Sequence, residues 1–212
     1  RSDGAKISQL ATILELSPAP LPVAWIAETD RSSVAGFLPE GRPIIVLAPT
    51  ANWEPKIWPA ECFAAVFDLL SRTILPAAVP IVLGGPGAAE AAMAAPLMAK
   101  LPMAIDLVGR LTLPEVAACL ERSALFIGND SGLMHLSAAA GAATIGLFGP
   151  TDATIYAPAG RRAMAVEGSG GRMATIGVEQ VAAAAGALLI VDRLPMRPGC
   201  MLRDQHATDQ GG

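Results

Sequence analysis

The feature that most limits how this chain can fold is a regular alternation that begins at Ile44. Short apolar runs at Ile44–Ala48, Pro80–Gly84, Met103–Val108, Leu125–Gly128 and Ala143–Phe148 take turns with helical patterns at Pro59–Leu70, Ala88–Lys100, Leu113–Glu121 and Leu133–Ala140. Runs that are apolar almost throughout belong to strands covered on both faces, and strand–helix–strand repetition joins parallel neighbours. The predicted fold is therefore α/β, a Rossmann-like parallel sheet with helices on both faces. Ala163–Val166 adds a sixth strand and Val178–Ile190 an alanine-rich helix. Thr112-Leu113-Pro114-Glu115 has the spacing of a capping box and marks where the third helix starts. Right-handed crossovers should bring all the strand carboxyl ends to one edge of the sheet.

The residues before Ile44 follow no such pattern. A helical apolar pattern over Ile7–Leu16 is broken by Pro18, Pro20 and Pro22. A short apolar piece (Val23–Ala27), a weak helix signal (Arg31–Leu38) and a turn at Pro39-Glu40-Gly41-Arg42-Pro43 come next. This divides the chain into a connector or remnant (1–42), a main domain (43–192) and a polar, flexible tail (193–212). With 52% hydrophobic and 16% charged residues, disorder is excluded, and some apolar surface beside the binding cleft is expected. The longest stretch without Asp, Glu, Lys or Arg, Ser131–Thr151, is interrupted by four glycines, a proline and a histidine, so it reads as a buried βαβ piece rather than a membrane span. A net charge of −4 gives no reason to expect a nucleic-acid partner. Cys62, Cys119 and Cys200 are widely spaced and form no metal-ligand pattern, as suits a reducing compartment. No basic stretch leads into an apolar run at the start, so no signal peptide is read and a cytoplasmic location is expected.

Ligands of open parallel sheets bind outside the strand carboxyl ends, which directs attention to the loops there. The most informative is Gly128-Asn129-Asp130-Ser131-Gly132-Leu133-Met134-His135. A strand ends, the chain turns, and a helix begins near Ser131, whose free N–H groups and dipole suit a diphosphate. Gly132 permits close approach to the backbone, and His135 lies one turn along on the same helix face. The plainer alternative is that Asp130 and Ser131 only cap the helix and His135 only packs. Asp130 is awkward beside a phosphate because two anions would meet; contact with a sugar or water, or bracing of the loop, suits it better. In the loop after the first strand, Lys56 stands between Trp53 and Trp58, ahead of a helix opened by Pro59. Gly84-Gly85-Pro86-Gly87 starts another helix, but the third position of a G-x-G-x-x-G falls on Glu90, so no dehydrogenase fingerprint is present.

These loops, in this order, resemble glycosyltransferase family 9, whose best-known members move heptose from ADP-heptose to the lipopolysaccharide core. The resemblance is carried by Lys56-Ile57-Trp58-Pro59, by Gly109-Arg110-Leu111-Thr112-Leu113-Pro114-Glu115, by the Asn129–His135 segment and by Gly146-Leu147-Phe148-Gly149-Pro150-Thr151. It implies the C-terminal half of a two-domain GT-B glycosyltransferase, with a nucleotide sugar, ADP-heptose, as donor substrate and no cofactor or metal. Asp-x-Asp occurs nowhere in the chain. It implies that Lys56 meets the donor phosphates, that Asp130, Ser131 and Gly132 form the cradle, and that His135 supports that loop or the sugar. Glu90 falls where the family holds the ribose, Leu111 where an apolar residue packs on adenine, and Thr50 and Asn52 in a loop facing the phosphates. Lys56 and Asp130 then serve catalysis in a supporting role. The acceptor, a lipopolysaccharide core or other glycan, and the base are expected on an N-terminal GT-B domain that the forty leading residues are too few to form. Peripheral contact with the inner face of the cytoplasmic membrane fits that role. A stand-alone nucleotide-sugar-binding module and an epimerase of the same shape acting on UDP-sugars are the competing readings.

Overall fold

A computed structural model describes residues 5–191. Six strands form one sheet in the order β3-β2-β1-β4-β5-β6: β1 (Ile44–Ala48), β2 (Val79–Val82), β3 (Ile105–Asp106), β4 (Leu125–Asn129), β5 (Thr144–Phe148) and β6 (Ala163–Glu167). Every neighbouring pair is parallel. The helices are α1 (Lys6–Ile13), α2 (Glu28–Ala35), α3 (Ala60–Thr73), α4 (Ala88–Lys100), α5 (Leu113–Glu121), α6 (Gly132–Ala139), α7 (Ala153–Tyr156) and α8 (Val178–Val191). The α/β architecture read from the alternation is the one observed.

Side-chain alternation along the strands divides the core into two layers. Ile45, Leu47, Ile127 and Leu147 point to the face packed by α3, α4 and α8, where Phe63, Leu70, Leu97 and Val181 meet them. Ile44, Val46, Phe126 and Phe148 point to the opposite face, against α2, α5 and α6. Because both faces are covered, β1, β4 and β5 are buried at every residue, which explains why they read as unbroken apolar runs. The expected strand over 103–108 pairs only at Ile105–Asp106. It lies at the sheet edge, and there the Asp106 carboxylate accepts a hydrogen bond from the Val108 N–H at 3.0 Å as the chain turns away. At the start of α5 the Glu115 carboxylate accepts from the Thr112 N–H and hydroxyl, both at 2.8 Å, which holds its pKa below the usual carboxylate range.

The segment before Ile44 is partly built into this core. α2 begins three residues earlier than expected, where Asp30 accepts from the Ala27 N–H at 2.9 Å, and its Val34 is buried with Leu38 under the α5 face. Arg31 forms a two-point pair with Glu121 of α5 at 2.7 and 2.9 Å. The apolar piece at 23–27 is not a strand; the Ala24 N–H donates to the Ala139 carbonyl at the end of α6. Large apolar side chains are exposed along this segment, among them Leu10, Ile13, Val23 and Trp25, the last at 95%. Among the described residues no helix is long and apolar enough to cross a membrane. The tail over 193–212, with Cys200, lies outside the described residues. Cys119 is fully buried, and burial pushes its thiol up to about 12, so it acts as a small apolar core residue.

Packing gives a direct test at the β1–β4 seam. A Cβ on Gly128 would lie 2.6 Å from Phe126 Cζ and 2.9 Å from Ala48 Cβ, whereas one on Gly36, in the right-handed helical region, meets nothing within 4 Å. Gly128→Ala should therefore destabilise by about 1–3 kcal/mol. Gly36→Ala should be neutral or stabilise by up to about 1 kcal/mol. Urea unfolding midpoints would distinguish them, and equal midpoints would contradict the close packing of the seam.

Candidate functional site

The strand order reverses between β1 and β4, the point at which open α/β sheets leave a crevice. Ala48 and Gly128 are register partners there, so the segments leaving the two strands start side by side. The first holds a single 3-10 turn, Glu54–Lys56, that brings Lys56 back over the end of β4. Trp58 then anchors its far end: it is fully buried, packs edge-on against Phe63 at 4.9 Å between centroids, and donates its indole N–H to the Ile176 carbonyl at 3.1 Å.

Asn129, the last residue of β4, is also fully buried. Its Nδ2 donates to the Pro49 carbonyl at 2.9 Å, and its Oδ1 accepts from the Trp58 N–H at 3.1 Å. The next residue, Asp130, is 6% exposed. Its Oδ2 accepts from Lys56 Nζ at 2.7 Å and from Thr151 Oγ1 at 2.8 Å, so three loops meet on one carboxylate oxygen. This resolves the awkwardness of an anion at a diphosphate cradle, because the lysine offsets the charge.

Ser131 does not cap α6 with its side chain. Its hydroxyl oxygen is buried and has no hydrogen-bond partner among the described residues, an arrangement that a simple cap does not explain. A side chain added at Gly132 would enter open space, and no side chain caps the first N–H groups of α6. His135 keeps surface open to this space but is hemmed in by its neighbours. That partial desolvation, opposed by Asp130 and reinforced by Lys56, holds its pKa below the ordinary histidine value, so near neutral pH it presents an uncharged imidazole.

Lys56, Asp130, Ser131, Gly132 and His135 line one cavity of about 1040 Å³, together with Thr50, Asn52 and Glu90. The sequence-predicted residues Thr50, Asn52, Lys56, Glu90, Asp130, Ser131, Gly132 and His135 are thus brought together. Glu90 also braces the glycine turn, accepting from the Gly85 N–H at 2.8 Å. Leu111 is not brought there: it packs against the core beneath α5, and Leu113, 68% exposed, lines the cavity instead. Thr151 and Asn129 stood in the quoted motifs without a role. Their position at strand carboxyl ends was the available signal, but a hydrogen bond across 80 residues of sequence leaves no local trace. The rest of the lining is largely apolar, with Ile7 and Leu10 of α1, Leu136 of α6 and Tyr156 of α7 among it. Among the described residues no group of His, Cys, Asp and Glu is arranged to hold a metal ion.

Known proteins resemble this chain in sequence and in fold. A family model for glycosyltransferase family 9 (heptosyltransferase) matches residues 7–183. The chain is 32% identical over 140 residues to lipopolysaccharide heptosyltransferase 3 of Escherichia coli, covering 65% of this chain and 39% of that protein. It is 30% identical over 116 residues to lipooligosaccharide heptosyltransferase 2 of Haemophilus influenzae, covering 52% and 32%. The chain thus spans well under half the length of these relatives. Among solved structures, a glycosyl transferase family 9 protein from Veillonella parvula superposes with a TM-score of 0.76 at 24% identity, covering 90% of this chain and 62% of that one. The E. coli ADP-heptose lps heptosyltransferase II superposes with a TM-score of 0.73 at 22% identity, covering 84% and 56%. At these identities the structural likeness is one of fold. The family model, by contrast, takes in both site loops and all six strands of the sheet that carries them, and the chain belongs to glycosyltransferase family 9.

Proposed function

We propose that this chain is the donor-binding domain of an inverting glycosyltransferase, with ADP-heptose as donor and a lipopolysaccharide core or related glycan as acceptor. The observation that carries the proposal is the buried, unpartnered hydroxyl of Ser131 at the start of α6, beside Lys56 and the neutral face of His135. Helix-start N–H groups, a hydroxyl and an ammonium on one cavity wall suit a diphosphate. The donor and acceptor are chosen because the relatives are heptosyltransferases of lipopolysaccharide and lipooligosaccharide.

In the reaction proposed, the acceptor hydroxyl oxygen attacks the anomeric carbon and its proton passes to a base. The bond from that carbon to the diphosphate breaks, and ADP leaves with the electron pair. Lys56 and the start of α6 stabilise the charge gathering on the leaving group, preorganised for it by Asp130 and Thr151. The cavity carboxylates are poorly suited to be the base: Asp130 already accepts from two donors, and Glu90 holds the Gly85 N–H. We assign the base and the acceptor site to a facing domain. The positive groups of the cradle also make a metal unnecessary for the diphosphate.

Three outcomes follow from this reading. ADP should bind more tightly than AMP, and Lys56→Ala should weaken ADP by about 1–3 kcal/mol with a smaller change for AMP. Calorimetry giving equal ADP affinities for wild type and variant would remove Lys56 from the site. Gly132→Val should impair ADP binding while its melting temperature stays near wild type, since the new side chain fills open space; unchanged affinity would place the ligand elsewhere. Finally, the chain alone should bind ADP-heptose, with or without EDTA, yet transfer no sugar to a truncated lipopolysaccharide core. Steady turnover would show that the base lies within this chain.

A further inference from the structure

We infer that Asn129 is a positioning residue of the donor site, whose buried carboxamide clamps the Lys56 loop against the α6 cradle and so determines how well the second phosphate is recognised. The inference rests on the reading of the cavity as a diphosphate site. It starts from the two atoms that Asn129 holds. Pro49 is the first residue after β1 and Trp58 the last before the residue that caps α3, so the bonds to the Pro49 carbonyl and the Trp58 N–H fasten both ends of the loop that carries Thr50, Asn52 and Lys56. On its other side Asn129 continues directly into Asp130 and Ser131.

The side-chain chemistry is specific to this task. A carboxamide offers a donor and an acceptor at once from a short stem; a carboxylate at neutral pH offers acceptors only, and an apolar side chain neither. The residue is fully buried, so each bond forms without competition from solvent, and a replacement would strand a buried backbone carbonyl or N–H. Lys56 reaches Asp130 only because the loop is held at this height, and displacements of about 1 Å are enough to spoil such positioning. The Lys56–Asp130 and Thr151–Asp130 bonds join loops through side chains that meet on Asp130, and Lys56 and Asp130 line the cavity. The Asn129 clamp lies beneath them, against backbone, and so sets the spacing of the loops without touching the ligand.

The test compares ligands as well as variants. In Asn129→Asp the carboxylate still accepts from the Trp58 N–H but has no proton for the Pro49 carbonyl, so the loop is released at one end. ADP affinity should fall about tenfold while AMP affinity falls less than about threefold, lowering the ADP/AMP ratio. In a Lys56→Ala background the same substitution should change ADP affinity by less than about twofold, because the residue acts through Lys56. On acidification the protonated Asp regains a donor, and the ratio should recover relative to wild type at the same pH. An unchanged ratio, additive effects in the double variant, or loss of folding in both Asn129→Asp and Asn129→Ser would each overturn the assignment and leave Asn129 a purely structural residue. Wild-type protein that fails to bind ADP would instead sink the donor-site reading, and with it the purpose given to Asn129.

Discussion

A carboxylate shut away from water must find positive charge or strong donors, and the arrangement of this site follows from how Asp130 meets that demand. Its Oδ2 is reached by Lys56 from the loop after β1 and by Thr151 from the loop after β5, while its own N–H donates to the Leu147 carbonyl at 3.1 Å. One buried charge therefore draws three segments together at the place where the strand order reverses. The pairing also orders the chemistry. A lysine held by a carboxylate is kept at the cavity wall, and a carboxylate holding a threonine as well keeps a donor if the lysine is drawn toward an anion.

The sheet makes this convergence possible. Parallel strands joined by right-handed crossovers deliver their carboxyl ends to one edge, and only at the β1–β4 seam do the loops diverge to opposite faces. Close approach at the seam needs glycine at position 128, and the two-layer core holds both strands in register from either side. Two strands that are fully buried make a stiff base for loops that must present polar groups accurately.

The segment ahead of β1 takes part in this design rather than merely leading into it. α2 is fixed chiefly by burial of Val34 and Leu38 on the α5 layer; its Arg31–Glu121 pair is partly exposed, and such pairs add little on their own. α1 contributes Ile7 and Leu10 to the cavity lining, so apolar side chains line the site together with its polar groups. A family model that begins at residue 7 is consistent with that involvement.

The chain's sequence determined the α/β class, the six strands, the bounds of β1, α4 and α5, and which loops would meet. Those properties depend on local periodicity and on a crossover rule that holds for nearly all such sheets, so they are legible from residues alone. The order of the quoted motifs likewise marked Lys56, Asp130, Ser131 and His135 as neighbours, and they line one cavity. Tertiary structure alone decided which atoms touch. That Lys56 answers Asp130, 74 residues away, and that Asn129 spans to Pro49, are matters of ångström-scale placement that no spacing encodes. The same limit explains Leu111 and Leu113: a motif locates the loop, but side chains two residues apart face different ways, and only packing under α5 sent the first inward and left the second at the cavity.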